Sequence, residues 1–376
     1  MDWTQVRPWT PLFQYPHDGA GADRIIVTRS DYECLEADFS LNRTVVDFAL
    51  RVIIADRRRS PLSSDPAFIN MARDVHVFPS DFFTMLSAGN ERGKLKADKD
   101  KARRAYARVE CWTRGVDVFA KRFLLVPVLD QQHWSLAIVC HPGELAKRAI
   151  ARERRELDVG ATEDEDEGED YPVRPCVIHM DSNRQHSAKK IEKFLRCFLE
   201  LEWRKRHADE PPFTCRERSP DGPPADLLLA MPKVPQQQMY SGDSGLYALR
   251  YAQEFLARAV CGGAKLAVNG RNVCLCFRDH NFRTWFNRDR DDIADMRQTL
   301  KCLTQGLKRE EDMRRFCARR RLCWIGQRDS GSALSRLPTE ILKKLVPYFA
   351  VDFVHLFCLE QRACPSWGSS LVISPS

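Results

Sequence analysis

The sequence predicts an α+β fold, because segments with the apolar spacing of helices stand beside short, mostly apolar segments typical of buried strands. Residues 123–129, 134–140 and 176–180 are the strand-like segments. Helical spacing occurs before and after them, over 41–54 and over 293–307. With 376 residues, of which 43% are hydrophobic, the chain is long enough to bury one large core or two modest ones.

The first predicted helix covers the segment 41–54. Val45 and Phe48 fall on one face of it, and Asn42 stands where its side chain can cap the first turn. A short alternating stretch at 75–78 follows as a candidate strand. The three longer strand-like segments come after it in the chain.

Three more helices are predicted after the strands. Ser187 can cap the first, and Ser244 stands at the N-terminal edge of the second, which begins at Gly245. The third carries the apolar stripe Ile293, Met296, Leu300, Leu303 and Leu307. These helices complete an α+β domain over about residues 24–305, with extensions at 1–23 and 306–376.

Two segments of this domain are predicted to be surface inserts, at about 143–173 and 206–231. The first contains the acidic run 163–170, which repels itself and favours a disordered loop. The second contains five prolines between residues 211 and 224, a composition typical of linkers.

Composition narrows the function classes. The chain has no run of eighteen apolar residues and no apolar secretion signal near residue 1, so we expect a nuclear or cytoplasmic protein without a membrane span. Its fourteen cysteines lack the CxxC spacing of zinc sites, and we expect reduced thiols, no metal and no cofactor. The net charge of +7 suits nucleic acid or an acidic protein partner, although solvated helix faces explain it equally well. No specific nucleic-acid motif supports the first option.

Four residues have the types and order that nucleophilic catalysis requires. His133 and Asp181 lie at the start and end of two predicted strands, so antiparallel pairing would bring both to one edge of a sheet. Ser244 lies at a helix N-terminus, where backbone N–H groups favour negative charge. Gln238 precedes it by six residues and can supply an amide N–H to an oxyanion. Taken singly, each residue also has an ordinary role, as a core histidine, a turn aspartate or a helix cap.

The motifs around these residues resemble those of the Ulp/SENP family of SUMO-specific cysteine proteases. They are HWSLA at 133–137, MDS at 180–182, VPQQQMYSGDSGLY at 234–247, CWTRGVDVF at 111–119, LN with VDF at 41–48, and Trp285-Phe286 before the last helix. The blocks follow the family's order and spacing over about residues 24–305, and a set of this size is far more specific than one motif.

The resemblance implies a papain-like fold with a central mixed sheet flanked by helices. By position, it makes His133 the general base, Asp181 its orienting acid, Gln238 the oxyanion donor and Ser244 the occupant of the nucleophile position. It implies that Trp112 and Trp134 wall a tunnel for the Gly-Gly tail of SUMO, although core packing is the ordinary alternative for each. The two inserts resemble the branch with interrupted catalytic domains that trims poly-SUMO chains. SUMO and SUMO-conjugated proteins would be the partners of a monomer.

Two residues depart from the family pattern. Arg43 stands where the family has an aspartate after LN, which changes the charge offered to SUMO at that point. Ser244 stands where the family has its nucleophilic cysteine, and a hydroxyl does not ionise as a thiol does. We therefore expect the chain to bind the SUMO tail and to turn over slowly or not at all. The rival hypotheses are a SUMO-binding pseudoprotease and a protease for another ubiquitin-like modifier.

Overall fold

The computed structural model describes residues 7–16, 24–37, 39–59, 73–89, 99–157, 175–215, 226–238, 242–257 and 292–319. The chain separates into two compact units. One comprises Met1–Arg29 and Gln298–Ser376, and the other comprises Ser30–Arg297. The candidate residues all belong to the second unit.

The described strands and helices follow in this order along the chain: β1 (Pro11–Tyr15), β2 (Ile25–Thr28), α1 (Arg29–Glu33), α2 (Arg43–Arg59), β3 (Val75–Val77), α3 (Asp81–Ser87), α4 (Lys99–Ala107), a 3-10 turn (Glu110–Thr113), β4 (Phe123–Asp130), β5 (His133–Cys140), α5 (Pro142–Leu157), β6 (Cys176–Met180), α6 (Ala188–Arg206), β7 (Leu228–Ala230), α7 (Ser244–Phe255) and α8 (Asp292–Arg319).

A five-stranded mixed sheet forms the centre of the larger unit, in the order β3-β4-β5-β6-β7. The outer pairs β3–β4 and β6–β7 are parallel, whereas β4–β5 and β5–β6 are antiparallel. Pairing of Leu136 with Met180 sets the start of β5 beside the end of β6. The predicted antiparallel neighbours are therefore confirmed, as is the mixed sheet flanked by helices.

Helices cover both faces of this sheet, because alternate strand residues point to opposite sides. On one face, Val126 of β4 and Val139 of β5 join a core with α3, α4, α5 and α6. On the other face, α7 packs against β5 and α2 packs against α7. Phe123 of β4 meets Phe255 of α7 there, with their ring centroids 5.1 Å apart.

Two predicted helix caps are present. The Val45 N–H donates to Asn42 Oδ1 at 3.0 Å, and the Lys190 N–H donates to Ser187 Oγ at 3.3 Å. Each bond satisfies a backbone donor that the first turn of a helix leaves without an intrahelical partner.

The predicted surface-loop inserts are wrong for parts of both segments. Residues 142–157 form α5, whose Leu145, Ala146 and Ala149 are fully buried in the core. In the second insert, Phe213 is buried and 228–230 form β7, which lengthens the sheet beside β6. In these parts of the two segments, burial of apolar side chains against the core stabilises regular structure despite the polar or proline-rich composition. The acidic run 163–170 lies outside the described residues.

The predicted N-terminal limit of the domain separates two paired strands, and its predicted C-terminal limit falls within a helix. Residues 11–15 of the predicted N-terminal extension form β1, which pairs antiparallel with β2. At the other end, α8 continues past residue 305 to Arg319. Among the described residues, no helix is both long and apolar enough to cross a membrane.

Candidate active site

A histidine and an aspartate meet where β5 begins and β6 ends. His133 Nε2 lies 2.6 Å from Asp181 Oδ1, and both side chains are buried. Strand order produces this contact, since His133 is the first residue of β5 and Asp181 follows the last residue of β6. The predicted hydrogen-bonded pair is therefore present.

Asp181 is held in its ionised form by hydrogen bonds. Burial by itself would raise the pKa of this carboxyl group, but the His133 bond and two backbone donors together hold the pKa well below its usual value. Those donors are the N–H groups of Asn183 and His186, each 2.9 Å from a carboxylate oxygen. The arrangement offers His133 a fixed negative partner.

Ser244 reaches the same corner from the other side of the sheet. It is the first residue of α7 and is almost fully buried. The backbone N–H of Trp134 donates to its Oγ atom at 3.1 Å, which sets the hydroxyl beside the residue that follows His133. Among the described residues, the Ser244 hydroxyl and the His133 ring share no direct hydrogen bond. Such contacts are often long in the absence of a substrate.

Asp243, at the N-cap position of α7, does not cap the helix with its side chain. Its carboxylate instead accepts a hydrogen bond from Arg297 Nη2 at 2.7 Å. The same guanidinium donates to the carbonyls of Cys34, Glu36 and Phe39. Sequence reasoning missed Arg297, because the carboxylate and carbonyls that it binds are far from α8 in the sequence and come close to it only in the folded chain.

Gly245 allows the candidate nucleophile to sit close to β5. A Cβ atom at this position would lie 3.0 Å from Leu41 Cβ and 3.2 Å from Trp134 Cδ1. The Trp134 indole N–H also donates to the Leu41 carbonyl at 2.8 Å. Helix α7, the loop before α2 and Trp134 therefore form one tightly packed corner.

The two tryptophans predicted to wall a tunnel have different neighbours. Trp134 is fully buried beside Leu41 and Gly245. Trp112 is half-buried against the core that contains Phe82, with ring centroids 6.1 Å apart. Both rings thus pack against side chains of the protein, and their role in walling a tunnel stays a prediction.

Gln238 lies in a segment that runs along the end of β6. The Gln237 N–H donates to the Ser182 carbonyl at 3.0 Å, and the Ser182 hydroxyl donates to Gln237 Oε1 at 2.9 Å. Gln238 itself is exposed, and the described part of the chain provides no hydrogen bond to its side chain. Its neighbours bring it near the site, and its oxyanion role stays a prediction.

Asp181 and two histidines near it have the chemistry of metal ligands. Ligand atoms of His179, Asp181 and His186 all lie within 4.8 Å of one another. Ser135 Oγ already bonds both of these imidazoles, and Asp181 is taken up by His133 and two backbone donors. A cation would have to break these bonds, so the donor set fits a hydrogen-bond network better than a metal site.

The fold and this corner define a class of protein. A buried histidine–aspartate pair beside a hydroxyl at a helix N-terminus has the parts of a papain-like hydrolase, namely a base, its orienting acid and a nucleophile position. Residues 40–266 match the Ulp1 protease family, C-terminal catalytic domain. The match covers more than half of the chain, and the chain belongs to this family of cysteine peptidases.

Individual relatives agree with this assignment. The probable ubiquitin-like-specific protease 2A of Arabidopsis thaliana is 30% identical over 266 residues, which are 70% of this chain and 28% of the relative. Sentrin-specific protease 7 of Rattus norvegicus is 27% identical over 293 residues, which are 68% of this chain and 26% of the relative. The chain therefore spans less than a third of the length of either relative.

A solved structure described as a de-sumoylating protease has the same fold. Its TM-score with this chain is 0.51 at 17% identity, and the match covers 82% of this chain and 95% of that chain. At this identity the likeness supports the papain-like α+β fold alone.

Proposed function

We propose that this chain is a SUMO-deconjugating protease domain in which Ser244 occupies the position of the nucleophilic cysteine. The observation that carries this proposal is the position of Ser244 beside the buried His133–Asp181 pair, where its hydroxyl accepts a hydrogen bond from the backbone of the residue after His133. His133 would accept the proton of the nucleophile, and Asp181 would orient the ring. Gln238 would donate to the oxyanion once a substrate carbonyl is present.

The substrate assignment is supported by the relatives and by the motifs. The printed names of the relatives specify ubiquitin-like modifiers and sentrin. SUMO and SUMO-conjugated proteins are the partners we propose, with poly-SUMO chains as the finer substrate class. We also propose that the protein acts as a monomer in the nucleus or cytoplasm.

Ser244 determines what the site can do with such a substrate. A thiol has a pKa of about 8.5 and ionises readily beside an imidazolium, whereas a hydroxyl needs concerted removal of its proton. The site belongs to a family of cysteine enzymes, so its geometry suits the longer bonds of sulfur. We propose that the Ser244 chain binds SUMO conjugates and cleaves them slowly or not at all.

Substitution of Ser244 by cysteine tests this proposal directly. Ser244→Cys should gain cleavage of a SUMO–fluorophore amide, because a thiolate can form beside His133. Adding His133→Ala should abolish the gain. Ser87→Cys, which adds a thiol on α3 and leaves Ser244 in place, is the matched control and should gain nothing.

The same assay separates the rival functions. If Ser244→Cys stays inactive while the protein binds SUMO, the pseudoprotease hypothesis replaces the protease. If Ser244→Cys cleaves an amide of another ubiquitin-like modifier and spares SUMO, the substrate assignment is wrong. Equal rates for the Ser244 and Ser244→Cys forms would contradict our account of the hydroxyl.

A further inference from the structure

Behind the His133–Asp181 pair lies a second row of polar side chains with no part in the proposed chemistry. Ser135 Oγ lies 2.7 Å from His186 Nδ1 and 3.0 Å from His179 Nε2. We propose that this row, centred on His186, holds the side chains of His133 and Asp181 in their positions relative to each other. The inference rests on the proposed function and adds positioning residues to that site.

The row braces a strained turn directly before His133. Asp130 and His133 are the last pair of the β4–β5 hairpin, and the two residues between them have φ values of 48° and 64°. Non-glycine residues adopt this left-handed region at an energetic cost, so the surrounding structure must hold them there. His186 Nε2 lies 3.3 Å from the Asp130 carbonyl and provides one such contact.

His186 also contacts both members of the pair. Its backbone N–H donates to Asp181 Oδ2 at 2.9 Å, and its ring packs edge-on against the His133 ring with centroids 4.9 Å apart. One residue thus touches the acid, the base and the turn that begins the base's strand. Removal of the His186 ring would therefore loosen the turn before His133 without replacing either His133 or Asp181.

The hydrogen bonds of the row specify one arrangement of protons for neutral rings. A carbonyl oxygen only accepts, so His186 Nε2 donates to Asp130 and its Nδ1 accepts from the Ser135 hydroxyl. With that hydrogen used, Ser135 Oγ accepts from His179 Nε2–H. Both histidines are therefore expected in the Nε2–H tautomer.

Burial keeps these rings neutral. It lowers the pKa of His179 to about 4, and it lowers the pKa of His186 despite the neighbouring Asp130 and Asp181. Because both rings are neutral, neither competes for the negative charge of Asp181. That charge can therefore stabilise the His133 ring when it takes up a proton. The row thus orients His133 without competing for its partner.

Replacement of the His186 ring tests the proposal in the Ser244→Cys background. His186→Phe keeps the packing of an aromatic ring and removes both ring hydrogen bonds. We expect kcat to fall by about tenfold to hundredfold with KM changed less than about twofold, because the pair shifts while substrate contacts stay. His76→Phe is the matched control and should leave both parameters unchanged. His76 lies on β3, and its Nε2 has no partner among the described residues.

A double-mutant cycle separates positioning from general damage. If Ser135 and His186 act through one row, Ser135→Ala combined with His186→Phe should lose little more activity than the costlier single variant. Additive losses, or losses in KM alone, would overturn the positioning role. Unchanged activity in His186→Phe would do the same.

Nuclear magnetic resonance of the Ser244 protein gives a readout that needs no turnover. Nitrogen-15 ring shifts should report the Nε2–H tautomer for His179 and His186, and the opposite tautomer would refute the row. The proton in the His133–Asp181 bond should move or broaden in His186→Phe and not in His76→Phe. These measurements stand even if Ser244→Cys proves inactive, an outcome that counts against the proposed protease alone.

Discussion

Arg297 fixes the residue that precedes the candidate nucleophile. Its guanidinium donates to three backbone carbonyls, those of Cys34, Glu36 and Phe39, and to the Asp243 carboxylate. The Arg297 side chain is 11% exposed, whereas its partner Asp243 is 33% exposed. Hydrogen bonds from a charged donor are stronger than neutral ones, and four of them converge here, which makes Arg297 a sensitive position.

We expect Arg297→Met to lower the free energy of unfolding by about 1–3 kcal/mol, since the Asp243 carboxylate and three backbone carbonyls lose charge-assisted hydrogen bonds to one guanidinium. Urea denaturation measures the loss. Lys147→Met in the same unit is the control, because Lys147 pairs with Glu144 on the surface and such pairs contribute about 0–1 kcal/mol. Equal losses of unfolding free energy in the two variants would show that the Arg297 hydrogen bonds contribute no more than a surface ion pair.

Helix α7 shows how one missing side chain sets the position of an element. Ala normally stabilises a helix over Gly by about 1 kcal/mol. At Gly245, the added methyl group would press on Leu41 and Trp134, and overpacking of this kind costs about 1–3 kcal/mol. The close approach of α7 to β5 therefore depends on glycine.

Two glycine substitutions test this dependence. Gly245→Ala should destabilise the protein in urea denaturation, because the contacts at 3.0 Å and 3.2 Å outweigh helix propensity. Gly306→Ala should stabilise α8 by about 0.5–1 kcal/mol, since nothing lies within 4 Å of its added Cβ. A stabilised Gly245→Ala would show that α7 can move away from Trp134 freely.

Elements with strong periodicity were predictable from the sequence, and elements that depend on distant partners were not. β4, β5 and β6 are mostly apolar and almost entirely buried, and α2 and α6 combine an apolar face with a capping side chain. α5 was missed because its charged residues dominate the composition. β7 was missed because three residues become a strand only through pairing with β6.

The candidate site divides in the same way. His133, Asp181 and Ser244 could be predicted because strand ends and a helix start limit where their side chains lie. His186 and Arg297 stand in no local pattern, since their partners are far apart in sequence or lie on other elements. The tunnel role of Trp112 follows from a motif and stays a prediction, whereas its contact with Phe82 depends on α3, which no motif specifies.

At the scale of the molecule, buried histidines link folding to pH. Burial lowers the pKa of His76, His141 and His179 from 6.5 to about 4 in each case. In the unfolded chain these rings take up protons near pH 6.5, whereas the folded protein excludes them until about pH 4. The unfolded state thus binds three more protons within this window, which favours unfolding as pH falls.

Two carboxyl groups modify this balance. Burial raises the pKa of Asp47 from 3.8 to about 6, although hydrogen bonds from Ser80 oppose the change. The folded state therefore binds one extra proton between about pH 6 and pH 4, which favours folding as pH falls. Asp181 has the opposite sign, and its low pKa adds to acid destabilisation below about pH 4.

The net effect is a fall in stability between pH 6.5 and pH 4, because the protons excluded at His76, His141 and His179 outnumber the one bound at Asp47, and the lowered pKa of His186 acts in the same direction. Two net protons correspond to about 3 kcal/mol per pH unit where the dependence is steepest. Urea denaturation at about pH 7, 6, 5 and 4.5, which spans the window between the unfolded and folded pKa values, should show the decline in the free energy of unfolding. Asp47→Asn removes the opposing proton and should steepen the decline below about pH 6, since the buried histidines then act without opposition from this carboxyl group. A level or rising free energy of unfolding on acidification would mean that the buried rings accept protons without unfolding.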